Sequence, residues 1–355
     1  MDGTTGKRNR LKSLWGKQEV GIFVIFIILC VLIGIVTPRF LKPQNIINIL
    51  RQISNVGIMA VGQAMVIIIA GIDLSVGSVL SLSACILSVL SQRIDPWIAM
   101  FVALLAGAGV GSINGFLSVK IGIAPFIATL GIQMMARGFS FIITNGIPVK
   151  FSHPASVGFL GGGTFKIGDV SVPMSIAIML VVYVIGIVVL SKTVFGREIY
   201  AVGDNERSAK LSGINAERIK ISAYVISGGL AALAGVLNAG TLTTATADAG
   251  DGIESNVIAA VVIGGVSMSG GEGSVVPLGG RSETVDVERL AHGPEDGPPR
   301  VEGPRRVLVH EADVAAHPPE MLWGQLGEGR AEHLDPTVGH RGQPDEGAQQ
   351  GRLAH

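Results

Sequence analysis

Between residues 52 and 92 the chain is apolar except for scattered small polar residues, and its single charge is Asp73, inside Gly71-Ile-Asp-Leu-Ser-Val-Gly-Ser78. Comparable apolar runs recur at 20–36, about 46–71, 74–92, 97–119, 124–144, 173–191, 221–241 and 253–270. A helix crossing a bilayer needs about 20 residues, so most of these qualify and the last is short. The pattern predicts an all-α, polytopic integral membrane helix bundle of about eight spanning segments.

Charge placement orients that bundle. Lys7, Arg8, Arg10, Lys12 and Lys17 precede the first run, and no small-x-small cleavage site follows it. It reads as a retained first helix with residues 1–19 cytoplasmic. Single crossings then place 193–220 inside, where Arg197, Arg207, Lys210, Arg218 and Lys220 satisfy the positive-inside rule. The same walk puts 145–172 outside as a flexible loop. Its Gly161-Gly162-Gly163 and Lys166 lack the spacing of a phosphate loop.

Composition agrees. Charged residues are 15% and hydrophobic ones 48%, against roughly 25% charged in soluble domains, and the mean hydropathy is +0.53. Glycine, at 49 residues, suits close helix packing. Gly107, Gly111 and Gly115 form one smooth helix face, and Gly228, Ala232 and Gly235 another; packing accounts for both. The zero net charge says nothing of partners. Cys30 and Cys85 read as apolar thiols, with no disulfide framework and no metal-type spacing. No Ser/His pairing or H-E-x-x-H lies in a spanning run, and His153 is the only histidine before residue 280, so an intramembrane enzyme is disfavoured.

An aspartate at the bilayer centre costs about 2.5–3.5 kcal/mol on insertion scales. Two readings of 71–78 therefore stand. Asp73 is wetted, or caps the next helix, at a tight inner turn; or the segment is a broken helix lining a transport route. Gly265-Val-Ser-Met-Ser-Gly-Gly271 echoes Gly71-Ile-Asp-Leu-Ser-Val-Gly77, pointing to an internal two-fold repeat.

"NIINILRQISNVGIMAVGQAMVIIIAGIDLSVGS" (45–78), "APFIATLGIQMMARGFSFIITNGIPV" (124–149), "TVFGREIYAVGDNERSAKLSGINAERIKISAYVISGGLAALAGVLNAG" (193–240) and "GIESNVIAAVVIGGVSMSGGEGSV" (252–275) follow in order. Together they resemble the permease subunits of bacterial ABC importers for monosaccharides, of the ribose, xylose and galactose type. The resemblance covers about 20–276. It implies an inner-membrane permease domain that forms a sugar path and has no catalysis or cofactor of its own. It implies as partners an ABC ATPase subunit, a periplasmic sugar-binding protein, a second permease subunit and membrane lipid, but no nucleic acid. Ala64-Met65, where the family often has a hydroxyl residue, and Ser255-Asn256, where it has leucine-aspartate, are departures that bear on substrate preference.

For the substrate path the candidates are Asp73, Ser75, Asn114, Arg137, Asn145 and Glu254, whose amides, hydroxyls and charges suit sugar hydroxyls. For ATPase coupling they are Gly203, Asp204, Asn205, Arg207, Ala209, Leu211 and Gly213. Asp204 or Asn205 can cap a short helix there and Gly213 can end it. Ala209, Leu211 and Ile214 would then offer small and apolar side chains to the ATPase. A branched-chain amino-acid permease of the same superfamily and an ion-coupled secondary transporter are the alternatives.

Residues 277–355 break the pattern. Residues 281–355 hold no Lys, Ile, Phe, Tyr or Asn and are dense in Arg, Glu, Gly and Pro. That composition fits a GC-rich gene read out of frame, or a disordered tail. On the first reading about two of the roughly ten spanning helices expected in the family are missing. Translating the gene in the other two frames downstream of codon 276 should reveal apolar runs of about 20 residues. If neither frame encodes them, the tail is native.

Overall fold

Proline and glycine set the frame of the bundle. Pro43, Pro96 and Pro125 stand in the first turns of three long helices, where a missing N–H costs nothing. Left-handed residues at Ala70, Asn145, Gly213 and Gly265 close helices of the same bundle with one shared pattern. In each, that residue's N–H reaches three residues back and the next N–H five back, for example Ala70 to Ile67 and Gly71 to Val66.

The computed structural model describes residues 18–273 apart from 38, 154 and 169. The chain runs through α1 (Gln18–Val36), α2 (Pro43–Ile68), α3 (Val76–Leu90), α4 (Pro96–Phe116), whose end widens into a π turn over Leu117–Ile121, and α5 (Pro125–Thr144). Short α6 (Gly158–Gly162) precedes α7 (Met174–Lys192), α8 (Val194–Asp204), α9 (Glu206–Leu211), α10 (Ala216–Leu242) and α11 (Ile253–Ile263). Two small antiparallel ribbons cover one end: β1 (Val149–Lys150) pairs with β4 (Thr244–Ala245), and β2 (Thr164–Ile167) with β3 (Val170–Pro173).

Every predicted apolar run has become a helix, but the spanning count of about eight is not supported. Among the described residues four helices are long and apolar enough to cross a membrane: 96–121, 125–144, 174–192 and 216–242. The reason is geometric. α3 has 15 residues and α11 has 11, so they rise about 22 and 17 Å against a hydrocarbon core of about 30 Å. α2 is long but carries Asn45, Asn48, Arg51 and Gln52 in its first half. The echo between 71–77 and 265–271 ends in the same cap, yet so do the helices closed by Asn145 and Gly213. The tail from 277 onward lies outside the described residues.

α10 is the central post, packed against α4, α3 and α2. The two small-residue stripes meet each other: a Cβ on Gly107 would run into Ala232 and the Gly228 carbonyl, and one on Gly111 into the Tyr224 carbonyl. Bringing backbones this close replaces the hydrophobic drive that lipid cannot supply between helices. α3 is buried along almost its whole length. The outer surface carries Phe101, Ile127, Ile142, Val181 and Val184 in the open, as a lipid-facing surface should.

The segment 145–172 is not the flexible loop expected. Phe151 and Val157 are fully buried in a small core with α3 and α4 residues, and Thr241 donates to the Gly161 carbonyl at 3.0 Å. The glycine triplet serves this contact, with Gly161 lying against the Leu237 carbonyl of α10.

These contacts separate two glycines of one helix. Gly111→Val should abolish accumulation of folded protein in the membrane. Gly109 faces open space, so Gly109→Ala should keep or raise thermal stability, by up to about 1 kcal/mol from helix propensity. Thermal denaturation of the detergent-purified variants checks both.

Candidate functional site: a buried polar line along α3

α2 ends at Ile68, Ala70 turns left-handed at φ 58°, and residues 71–74 run without helical bonds before α3 begins. An alanine in that conformation costs about 1–2 kcal/mol, so surrounding bonds must hold it. They do. Asp73 is fully buried, and its Oδ1 accepts from the Ser75 N–H at 2.9 Å and the Ser75 hydroxyl at 2.7 Å. Asn114 of α4 donates to Ser75 Oγ at 2.7 Å and to Asp73 Oδ1 at 3.4 Å. Ser227 of α10 donates to Oδ2 at 2.9 Å. Everything that reaches the carboxylate is a donor, and no lysine or arginine among the described residues forms an ion pair with it.

The main chain of the segment is gripped as well. With its amide turned to match donors and acceptors, Gln63 of α2 pairs with the Asp73 N–H and carbonyl, both at 3.2 Å. Thr129 of α5 accepts from the Leu74 N–H at 3.2 Å and donates to the Ile72 carbonyl at 3.3 Å. Irregular backbone inside a membrane protein is tolerated only where protein or water satisfies it. Of the two readings, the turn is not wetted. Asp73 opens α3 through a buried side-chain turn, and the helix is interrupted.

Hydrogen bonds continue from this cluster along α3. Ser78 donates to the Ser75 carbonyl at 2.8 Å, and Ser81 to the Ser78 carbonyl at 2.9 Å. Arg137 of α5 donates to Ser81 Oγ at 3.2 Å, to the Ala247 carbonyl at 2.8 Å and to the Ala249 carbonyl at 2.7 Å. It also faces Asp251 at 3.5 Å. Next to it Gln133 donates to Glu254 Oε1 at 3.1 Å. The other Glu254 oxygen is buried without a partner, against Gly77, where a Cβ would meet it and the Gly250 carbonyl.

Five of the six path candidates thus fall on one line: Asp73, Ser75 and Asn114 bonded at its closed end, Arg137 and Glu254 at a half-buried end. Asn145 does not join them. It is exposed and caps α5 at φ 52°, a conformation asparagine tolerates. Gln63, Thr129, Ser227, Ser78, Ser81 and Gln133 were missed. A glutamine alone in the apolar 58–70 stretch was a legible signal; single hydroxyls in membrane helices were not.

At the other end of the chain's functional reading, Asn205 caps α9 by accepting from the Ser208 N–H at 3.0 Å, and Gly213 closes it at φ 84°. Asp204 is exposed and Gly203 is wedged against the Ile68 carbonyl and Gly271. The exposed surface expected of Ala209 is corrected: Ala209 is buried in the core, because its side of a helix this short faces the bundle. Arg207 and Leu211 are exposed, Leu211 at 84%. Glu206 takes Lys210 at 2.7 Å and Lys220 of α10 at 2.5 Å. These donors, Lys210 first, hold its carboxyl below the usual carboxylate range. The tie is therefore in place at neutral pH and is lost only as pH falls through that lowered value.

Fold and site together define a multi-pass membrane protein whose interior carries a polar line through an interrupted helix. Residues 45–276 match the family described as branched-chain amino acid transport system / permease component. The chain belongs to that family, so it is a transport component and not a catalytic subunit. It is 40% identical over 262 residues to the ribose import permease protein RbsC of Bacillus subtilis, covering 73% of this chain and 80% of that one. It is 34% identical over 261 residues to the fructose import permease protein FrcC of Rhizobium meliloti, 72% of each chain. It is 35% identical over 280 residues to the galactose/methyl galactoside import permease protein MglC of Haemophilus influenzae, 73% of this chain and 82% of that one. No solved structure matches the chain.

The geometry separates Asp73 from Asn145. Asp73→Ala leaves the donors of Ser75 and Ser227 facing nothing, each at about 1–3 kcal/mol, and leaves Asn114 with Ser75 Oγ alone. It should collapse thermal stability and folded yield. Asn145→Gly keeps the left-handed cap and should leave both unchanged. Melting curves of the two purified variants decide it.

Proposed function

We propose that the chain is the transmembrane permease subunit of an ATP-driven importer, forming the path for a monosaccharide handed over by a periplasmic binding protein. The observation that carries this reading is the half-buried group of Gln133, Arg137 and Glu254 at the open end of the polar line along α3. A lipid-facing surface has no use for such groups, whereas a neutral polyhydroxylated solute does. Ribose, fructose and galactose permeases among its relatives favour sugar over branched-chain amino acids.

In this reading the half-buried end of the line faces a second permease subunit, and the path runs between the two copies. The protein sits in the bacterial inner membrane with its N-terminus in the cytoplasm, about eight segments crossing. The fold descends from a duplication whose halves meet at 71–77 and 265–271. α9 presents Arg207 and Leu211 to a separate ATPase subunit, and Glu206 carries its motion to α10 through Lys220.

Two experiments test the reading. Cells carrying the complete importer should take up a labelled pentose or hexose and not leucine, and uptake should stop when cytoplasmic ATP is depleted. Persistence on a clamped ion gradient would favour secondary transport. Arg207→Glu and Leu211→Asp should each cut uptake at least tenfold while membrane abundance stays normal. Undiminished uptake in both variants removes α9 as the docking element.

A further inference from the structure

A cavity of about 190 Å³ opens beside the turn that precedes Asp73. Ile69, Ala70 and Gly71 form its floor, and Val119 and Pro125 one apolar wall. Tyr224 of α10 stands at its base, 1% exposed, its hydroxyl turned toward Ser118 and the Ile72 backbone without a close hydrogen bond to either. That hydroxyl lies beside Gly71, where a Cβ would come within 2.6 Å of it. A buried hydroxyl left unpaired is destabilising, and it deserves a reason in any structure.

The rim supplies charge of both signs. Glu206, Lys210, Glu217 and Lys220 border the opening, Glu206 paired to both lysines and Glu217 to Lys120. Half-exposed pairs of this kind contribute little to stability. A carboxylate accepts hydroxyl protons, an ammonium donates to hydroxyl oxygens, and an apolar wall suits the C–H face of a ring. The cavity thus offers acceptors, donors, one unsatisfied hydroxyl and a flat apolar side, within two residues of Asp73 and bordered by α9.

We propose that this cavity is a transient binding site for the transported monosaccharide near the α9 end of the bundle, with Tyr224 donating to or accepting from a sugar hydroxyl. The inference rests on the permease reading above. Because Glu206 and Lys210 belong to α9, movement of that helix reshapes the site and releases the sugar.

The test uses the full chain, purified in lipid nanodiscs, with Cys30→Ala and a reporter thiol at Ser118→Cys on the cavity wall; Val119→Cys is the second reporter position. D-ribose, D-xylose or D-galactose at millimolar concentration should slow maleimide labelling at least threefold, and mannitol should not. Adding Tyr224→Phe to the Val119→Cys reporter should abolish the protection while leaving the melting temperature unchanged or higher, since the hydroxyl makes no close hydrogen bond in the protein. A purely structural tyrosine would give equal protection in Tyr224→Phe, which overturns the proposal. So does protection by inorganic phosphate but by none of the sugars, or no protection at either position in a chain whose complete importer takes up a monosaccharide. If the complete importer takes up none, the permease reading fails and this site falls with it.

Discussion

A carboxylate shut away from water inside a lipid-embedded bundle has to be met by donors from all sides, and Asp73 imposes that condition on its neighbours. Its own helix supplies Ser75, α4 supplies Asn114 and α10 supplies Ser227. Gln63 of α2 and Thr129 of α5 then fix the main chain on either side of it. Five helices are thereby registered against one residue. Interhelical hydrogen bonds in membranes average only about 0.6 kcal/mol each. The arrangement matters through the cost of leaving any one group unpaired more than through the sum of the bonds.

That registration reaches the end of the bundle where α8 and α9 lie. The Gly271 N–H donates to the Ile68 carbonyl at 2.8 Å, at the last residue of α2, and Tyr200 of α8 donates to the Gly273 carbonyl at 2.7 Å. Gly203, at the end of α8, also abuts Ile68. Those contacts join α8 to the turn immediately before Asp73. The close α4–α10 crossing extends the connection, since helices in backbone contact cannot slide independently.

Much of this was legible in the sequence, and the remainder fails for identifiable reasons. Apolar length found eight of the helices but not α6 or α8, which lie in segments read as loops, and the glycine stripes at Gly107–Gly111 and Gly228–Ala232 proved to be partners. Length alone did not separate a long crossing helix from a short buried one such as α3 or α11, so the count of about eight is not confirmed. Ile72 and Leu74 continue the hydrophobic pattern through the break, and Ala70 gives no sign of a left-handed turn. Asn145 suits a sugar path and a helix cap equally by residue type, and the backbone shows the cap. Ala209 was misplaced because six residues are too few to show which face of α9 is buried. Ser227 and Thr129 are ordinary hydroxyls until Asp73 is brought beside them.

The central claim is that Asp73 and Ser227 are energetically coupled across the bundle. A double-mutant cycle with Asp73→Asn, Ser227→Ala and the pair, read by thermal or denaturant unfolding of the purified protein, measures that coupling directly. The structure predicts an interaction energy of about 0.6 kcal/mol or more, up to about 1.7 kcal/mol. Single-mutant effects that add to within about 0.3 kcal/mol would contradict it and leave the interrupted helix without its lock.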